Sequence, residues 1–245
     1  MHSASPTLDK KMPPRCEFLA WDTDFFGVRI GRIHGPMAEE DAAAVFDWCK
    51  KERIQCAYLL AASDDDTTVH AAENSGFHLT DVRVALECPT PQGIVMPPII
   101  RAVHEADVAE ISELASRSHS DSRFYHDAHF ARERCDALYA TWAEKSCHGY
   151  ADAVFVAERQ GRVAGYITCH NDKVSGRIGL IGVAEWARSG GLGRDLIHAS
   201  FHYFAQLQLN LVTVVTQGRN TGAQRLYQRN GFAVRTLELW YHRWF

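Results

Sequence analysis

The chain has 245 residues, which at a usual domain size of about 150 allows one large domain or two modest ones with a real core. Its 46% apolar and 23% charged residues exclude a disordered, collagenous or coiled-coil chain. With 26 Lys and Arg against 30 Asp and Glu, the net charge of −4 argues against a broad nucleic-acid-binding surface. Apolar runs such as Ala57 to Ala62 fall far short of the roughly 18 residues of a membrane span. Met1 to Arg15 has no apolar stretch between its charges, so no signal peptide and no membrane partner are expected, and the chain is placed in the cytoplasm.

Seven cysteines, at 16, 49, 56, 88, 135, 147 and 169, are scattered and odd in number without a Cys-x-x-Cys pair. They read as reduced, mostly buried thiols. His126 and His129 come closest to metal-ligand spacing but lack a third partner, so no metal is expected.

Residues 1–15 read as a disordered N-terminus. From there Val28 to His34 alternates as a strand, Glu39 to Arg53 carries Ala42, Val45, Phe46 and Cys49 at helical spacing, and Ala57 to Ala62 is a short apolar strand. Thr67 to Asn74 follows as a helix and Phe77 to Glu87 as a strand. Four of the eight prolines, Pro89, Pro91, Pro97 and Pro98, lie within ten residues, so 89–98 reads as a linker between a first half, 16–88, and a second, 99–245. Beyond it, Glu105 to Ser116 and Phe130 to Lys145 have helical periodicity. Strands at Ala153 to Glu158 and Arg162 to His170 are joined by a turn at Gln160 and Gly161. Ile178 to Val183 (strand), Leu192 to Leu207 (helix), Leu211 to Thr216 (strand), Gly222 to Gln228 (helix) and Val234 to Tyr241 (strand) complete a mixed α/β sheet. Both halves end alike, with Asn74-Ser75-Gly76-Phe77 matching Arg229-Asn230-Gly231-Phe232, which suggests an internal repeat.

Between a strand and a long helix lies Arg188-Ser189-Gly190-Gly191-Leu192-Gly193-Arg194. Small residues let the backbone approach a ligand, and the amides opening a helix point at an anion that the helix dipole also favours. The segment has the physics of a diphosphate cradle. It lacks the Lys-Ser/Thr of a nucleotide-hydrolase loop, and Leu196 fills the third glycine position of a dinucleotide fingerprint.

Val183-Ala184-Glu185-Trp186-Ala187-Arg188-Ser189-Gly190-Gly191-Leu192-Gly193 resembles the Arg/Gln-x-x-Gly-x-Gly/Ala signature of the GNAT superfamily of acetyl-coenzyme-A-dependent N-acetyltransferases. Glu185 stands where many relatives have proline. Asn220 to Phe232 resembles the family's Asn-x-x-Ala-x-x-Leu-Tyr-x-x-x-Gly-Phe run. The resemblance implies a mostly antiparallel sheet flanked by helices over 99–245, preceded by a smaller, degenerate GNAT-like half. It also implies that acetyl-coenzyme A is held by Ile181, Val183, Arg188, Ser189, Gly190, Gly191, Leu192, Gly193, Arg194, Asn220 and Ala223. A backbone N–H near Ile181 to Val183 would serve the oxyanion, and Tyr227 would protonate the departing thiolate. At ordinary values of about 10 for tyrosine and about 8.5 for a thiol that transfer is uphill by roughly 2 kcal/mol, so a polarised tyrosine is expected. No carboxylate stands out as a base, since Asp152, Glu158 and Glu185 read as surface charge.

Leu19-Ala20-Trp21-Asp22-Thr23-Asp24-Phe25-Phe26-Gly27-Val28 and Ser122-Arg123-Phe124-Tyr125 resemble the GNAT branch that acetylates dTDP-4-amino-4,6-dideoxygalactose (dTDP-fucosamine). The implied partner is a small-molecule amine, with Arg123 on a diphosphate, Phe124 or Tyr125 stacking on base or sugar, and Trp21 and Phe25 lining the cleft. Plain core packing is the alternative for each aromatic residue. Acetylation of a protein N-terminus or lysine, and a non-enzymatic acetyl-coenzyme A module, remain alternatives at this stage, and a homodimer is left open.

Overall fold

The computed structural model describes residues 14–245. The expected disordered N-terminus therefore falls almost wholly outside the described residues, although Arg15, its last residue, already opens a strand. The chain forms two compact units, one of residues up to Leu79 with Trp240–Phe245, the other Thr80–Leu239.

The first unit contains β1 (Arg15–Phe18), α1 (Ala20–Phe26), β2 (Ile30–His34), α2 (Ala42–Lys51), β3 (Cys56–Ala62) and α3 (Asp66–Asn74). Strand β2 is antiparallel to β1 and parallel to β3. Helix α2 buries Val45 and Cys49 from its apolar stripe, and Ile30, Ile33, Cys56 and Leu59 are buried with them. Helix α1 was not expected, because seven residues are too few to display a helical period. It stops at Gly27, whose left-handed φ of 69° lets its N–H return to the Thr23 carbonyl.

The second unit holds most of β4 (His78–Pro89), then β5 (Ile100–Ala102), α4 (Val108–Ser118), α5 (Arg132–Lys145), β6 (Ala153–Arg159), β7 (Arg162–Asn171) and β8 (Gly176–Val183). Helix α6 (Leu192–Gln206), β9 (Leu211–Gln217), α7 (Thr221–Arg229) and the start of β10 (Ala233–Trp244) follow. Its strands lie in the order β10, β4, β9, β8, β7, β6, β5. All pairings with a given register are antiparallel except β8 with β9. Gln160 and Gly161, both left-handed, close the β6–β7 hairpin as their turn chemistry predicts. Residues 163–170 of β7 are buried throughout, so this strand is central. Leu196, Ile197, Phe201 and Phe204 of α6 join Ile167, Cys169, Val212 and Val214 in the core. Each fully buried side chain of this size contributes about 1.5–3 kcal/mol.

The units do not part at the proline-rich stretch. Ile94, Met96 and Ile99 pack on the core of the second unit, and the Thr90 N–H is held by the Asn210 carbonyl at 3.0 Å. Most of the strand that closes the first half in sequence belongs to the second unit, where Arg83 to Pro89 pair antiparallel with Gln217 to Leu211. The last residues of β10 lie instead in the first unit beside β3, where the Tyr241 hydroxyl donates to Glu73 at 3.2 Å.

The repeat seen in the sequence recurs in the elements. Adding 155 to the bounds of β3, α3 and β4 gives those of β9, α7 and β10, residue for residue. Asp65 caps α3 through Thr68 N–H, and Asn220 caps α7 through Ala223 N–H. Each helix closes on a left-handed glycine, Gly76 or Gly231. Asp65 also accepts the Thr68 hydroxyl at 2.5 Å. Asp65→Ala should therefore cost about 1–2 kcal/mol in denaturant unfolding, the usual worth of a cap, and an unchanged midpoint would contradict the capping role.

Candidate active site

The site starts with a pairing that stops. Strand β8 pairs with β7 as far as Val183, but with β9 only at Gly176, Arg177 and Ile178. Beyond this point β9 continues to Gln217 against β4. The β7–β8 register slips between Ile167 and Cys169, and the Thr168 hydroxyl takes the Leu180 N–H at 2.8 Å. That bulge turns β8 away from β9. The edge of residues 179–183 thus faces a gap, with backbone groups open to a ligand.

The gap opens into a cleft of about 800 Å³. Ile181, Val183, Arg188, Ser189, Gly191, Leu192, Gly193, Arg194, Asn220 and Ala223 all line it. Gly190 does not; its carbonyl instead accepts Arg159 Nη2 at 3.1 Å, and a Cβ there would lie 2.6 Å from that guanidinium. Arg159, at the end of β6, was missed because nothing in the sequence links it to the loop. Ser189 and Gly191 have φ of 64° and 80°, and a left-handed serine is strain of the kind held at binding loops. Gly193 lets α6 approach α7, since a Cβ would stand 3.0 Å from Leu226. The amides of Ser189 to Arg194 donate to no protein acceptor among the described residues. Six free donors, a helix start and Arg159, Arg188, Arg194 and Arg229 nearby suit a diphosphate, so the residues present fit coenzyme A.

Helix α7 forms the facing wall through Ala223, Leu226, Arg229 and Asn230. Arg229 and Asn230 fall at unspecified positions of the second motif and so escaped notice. Tyr227, expected at the reaction centre, is 3% exposed and packs its ring on Phe232 at 5.6 Å. It is not among the residues that line the cleft, although Ala223 and Asn230, about one turn to either side of it, are. Burial pushes its phenol above the ordinary value, the reverse of the polarised tyrosine expected. The same exclusion of water would raise a thiolate beside it, so donor and acceptor move together.

The expected acceptor residues scatter. Phe124 is 2% exposed, packed on Phe130 under the Arg123 guanidinium at 4.2 Å, and offers no free face for stacking. Tyr125 gives its hydroxyl to Asp136 at 2.6 Å. Trp21, 38% exposed, stacks on Phe25 at 5.0 Å in the other unit. Ser118 and Asp121, which no motif marked, line the cleft. Asp152, Glu158 and Glu185 hold exposed positions away from its lining, and Glu158 pairs with Arg101 at 2.8 Å. Among the described residues no cluster of His, Cys, Asp or Glu is arranged for a metal. Five of the cysteines are buried, two are half-buried and all are free.

The matching turn of the first unit is already satisfied. Met37 N–H donates to Thr68 Oγ1 and Ala38 N–H to Asp41 Oδ2, each at 2.9 Å, while Pro36 has no N–H. Strand β2 stays paired with β3 from Ile30 to Ile33. Neither a free amide row nor a splayed edge forms there.

Beneath Gly182, His119 Nε2 meets the Tyr166 hydroxyl at 3.0 Å and its ring stacks on Tyr139 at 4.5 Å. Loss of water pushes His119 down to about 4. The unfolded chain, with an ordinary value of about 6.5, then binds the proton first, so acidification from pH 7 to 5 should remove about 2 kcal/mol of stability through this group. His119→Gln should flatten that part of the pH dependence in thermal unfolding, and an unaltered difference between pH 7 and 5 would contradict it.

A family model described as the Acetyltransferase (GNAT) family matches residues 109–232. A dTDP-fucosamine acetyltransferase from Escherichia coli O6:H1 is 27% identical over 241 residues, 95% of this chain and all of that one. The spore coat polysaccharide biosynthesis protein SpsD of Bacillus subtilis is 30% identical over 56% of this chain and 48% of its own length. A GCN5-related N-acetyltransferase from Sphaerobacter thermophilus has the same fold, with a TM-score of 0.66, 16% identity and coverage of 94% of this chain and 76% of that one. The chain belongs to the GNAT family and is an acetyl-coenzyme A-dependent N-acetyltransferase.

Proposed function

We propose that the chain acetylates the 4-amino group of a dTDP-4-amino-4,6-dideoxy sugar in the cytoplasm, for polysaccharide biosynthesis. One observation carries this reading: the likeness to the dTDP-fucosamine acetyltransferase runs through 95% of the chain, well beyond the residues that the family model reaches. The partial likeness to a spore coat polysaccharide protein points the same way. The first unit is then a GNAT-like repeat whose cradle amides have been claimed by its own side chains.

Bound acetyl-coenzyme A supplies an activated acetyl thioester. The amides of Ser189 to Arg194 hold the diphosphate, with Arg159 steadying the loop at Gly190. The open edge of β8 near Ile181 gives an N–H to the oxyanion from a fixed backbone, so no reorganisation is needed as charge develops. Tyr227 keeps its proton until the sulfur departs, then donates it; its hydroxyl has no hydrogen-bond partner among the described residues and is free to do so.

Purified enzyme should acetylate dTDP-4-amino-4,6-dideoxygalactose far faster than a peptide bearing a free N-terminus and a lysine; the opposite preference would contradict the acceptor. Tyr227→Phe keeps the ring and removes the hydroxyl, so kcat should fall by about 10²-fold with little change in acetyl-coenzyme A affinity. Near-normal turnover would remove Tyr227 from the mechanism.

A further inference from the structure

Where Asp121 and Asn220 line the cleft, the start of β4 and the turn after β9 meet. Gly218 N–H donates to the Val82 carbonyl at 2.6 Å, and Arg219 Nη2 donates to the Thr80 carbonyl at 2.8 Å. Between them lies Asp81, a carboxylate 5% exposed. It accepts the Val82 N–H at 2.9 Å, and the Arg219 guanidinium stands 3.9 Å away, beyond hydrogen-bond length. Arg123 and Asp121 face it from the segment after α4, and Tyr139 from α5. A carboxylate serving as half of a structural ion pair is normally held below its ordinary value. Here desolvation outweighs both arginines and lifts Asp81 to about 6. Of these groups only Asp121 lines the cleft; next to it the cluster gathers two carboxylates for a cation and two guanidiniums for an anion, which is the charge pattern of an amine carried on a diphosphate.

We propose that Asp81 receives the acceptor's ammonium group and takes its proton, while Arg219 and Arg123 face the acceptor's diphosphate. The inference rests on the amino-sugar nucleotide reading above for the diphosphate alone; the role of Asp81 holds for any amine. One N–H bond of the ammonium breaks as its proton passes to the Asp81 carboxylate, leaving a neutral amine and a carboxylic acid that later returns the proton to water. The amine nitrogen then bonds to the acetyl carbon and the carbon–sulfur bond breaks. The surplus proton on that nitrogen balances the one that Tyr227 gives to sulfur. Sequence patterning hid Asp81 because it lies in the first half's last strand, far in the chain from either motif.

The test compares wild type with Asp81→Asn. In the wild type, kcat/KM for dTDP-4-amino-4,6-dideoxygalactose should fall on acidification through about pH 6. In Asp81→Asn it should be lower by about 10²-fold at pH 7 and lose that acid limb, with the acetyl-coenzyme A dissociation constant unchanged within about twofold. A retained acid limb, or a loss below about threefold, would overturn the proposal. Two readouts need no acceptor. The Asp81 carboxyl, assigned in a 13C spectrum by its absence from Asp81→Asn, should titrate near pH 6, and a midpoint near 4 would overturn the proposal. A carboxylate whose folded value is raised destabilises the fold increasingly as pH climbs from about 4 through 6, so Asp81→Asn should melt at or above the wild-type temperature at pH 7; a fall of several degrees would mark a structural ion pair and overturn the role. D-glucosamine is offered in parallel. Acetylation of glucosamine but not of the sugar nucleotide would refute the nucleotide reading while leaving the Asp81 comparison intact on that amine.

Discussion

Two parallel strands that part after three residue pairs govern this molecule. Had β8 and β9 stayed paired beyond Ile178 and Val214, their hydrogen bonds would have consumed the edge that faces the cleft. The Thr168 hydroxyl at the bulge makes the parting tolerable by taking the Leu180 N–H, and β9 recovers its own stability from seven residue pairs with β4 on its other side. An opening in the middle of a sheet is thus supported on both flanks, and the enzyme obtains backbone donors that need no reorganisation.

The first unit shows what happens without that parting. The chain repeats a strand, a capped nine-residue helix and a twelve-residue strand at a constant offset, but in the first copy β2 stays zipped to β3. Its turn amides bond to Thr68 and Asp41, and three acidic residues, Glu39, Glu40 and Asp41, occupy the turn that would meet an anion. Two copies of one local architecture therefore differ in whether their amides are spent internally or left for a ligand. The contrast lies in hydrogen-bond bookkeeping more than in shape.

Much of the catalytic unit was legible in the sequence because its signals are local. The glycine loop, the Asn220 cap, the apolar stripe of α6 and the Gln160-Gly161 turn each arise from residues within a few positions of one another. What escaped depends on pairing across long separations. Nothing near Phe77 to Glu87 reveals that most of this strand lies against β9, nor does the C-terminus reveal that Trp240 to Phe245 fall with the other unit. Arg159 meets the Gly190 carbonyl, and Asp81 stands near Arg219, only across such separations. Phe124 stayed undecided for a related reason: an aromatic residue beside an arginine reads equally as a stacking platform or a packed ring, and its burial against Phe130 is fixed by a turn the sequence does not announce.

The parted strands and the free amide row together make a single coenzyme site among the described residues. Calorimetric titration of the protein with acetyl-coenzyme A tests it most directly. One molecule should bind per chain, with or without the sugar nucleotide, because only one of the two repeats leaves its amides unclaimed. A stoichiometry of two equivalent sites per chain, or binding unaffected by replacing Gly191 with valine in a folded protein, would contradict it.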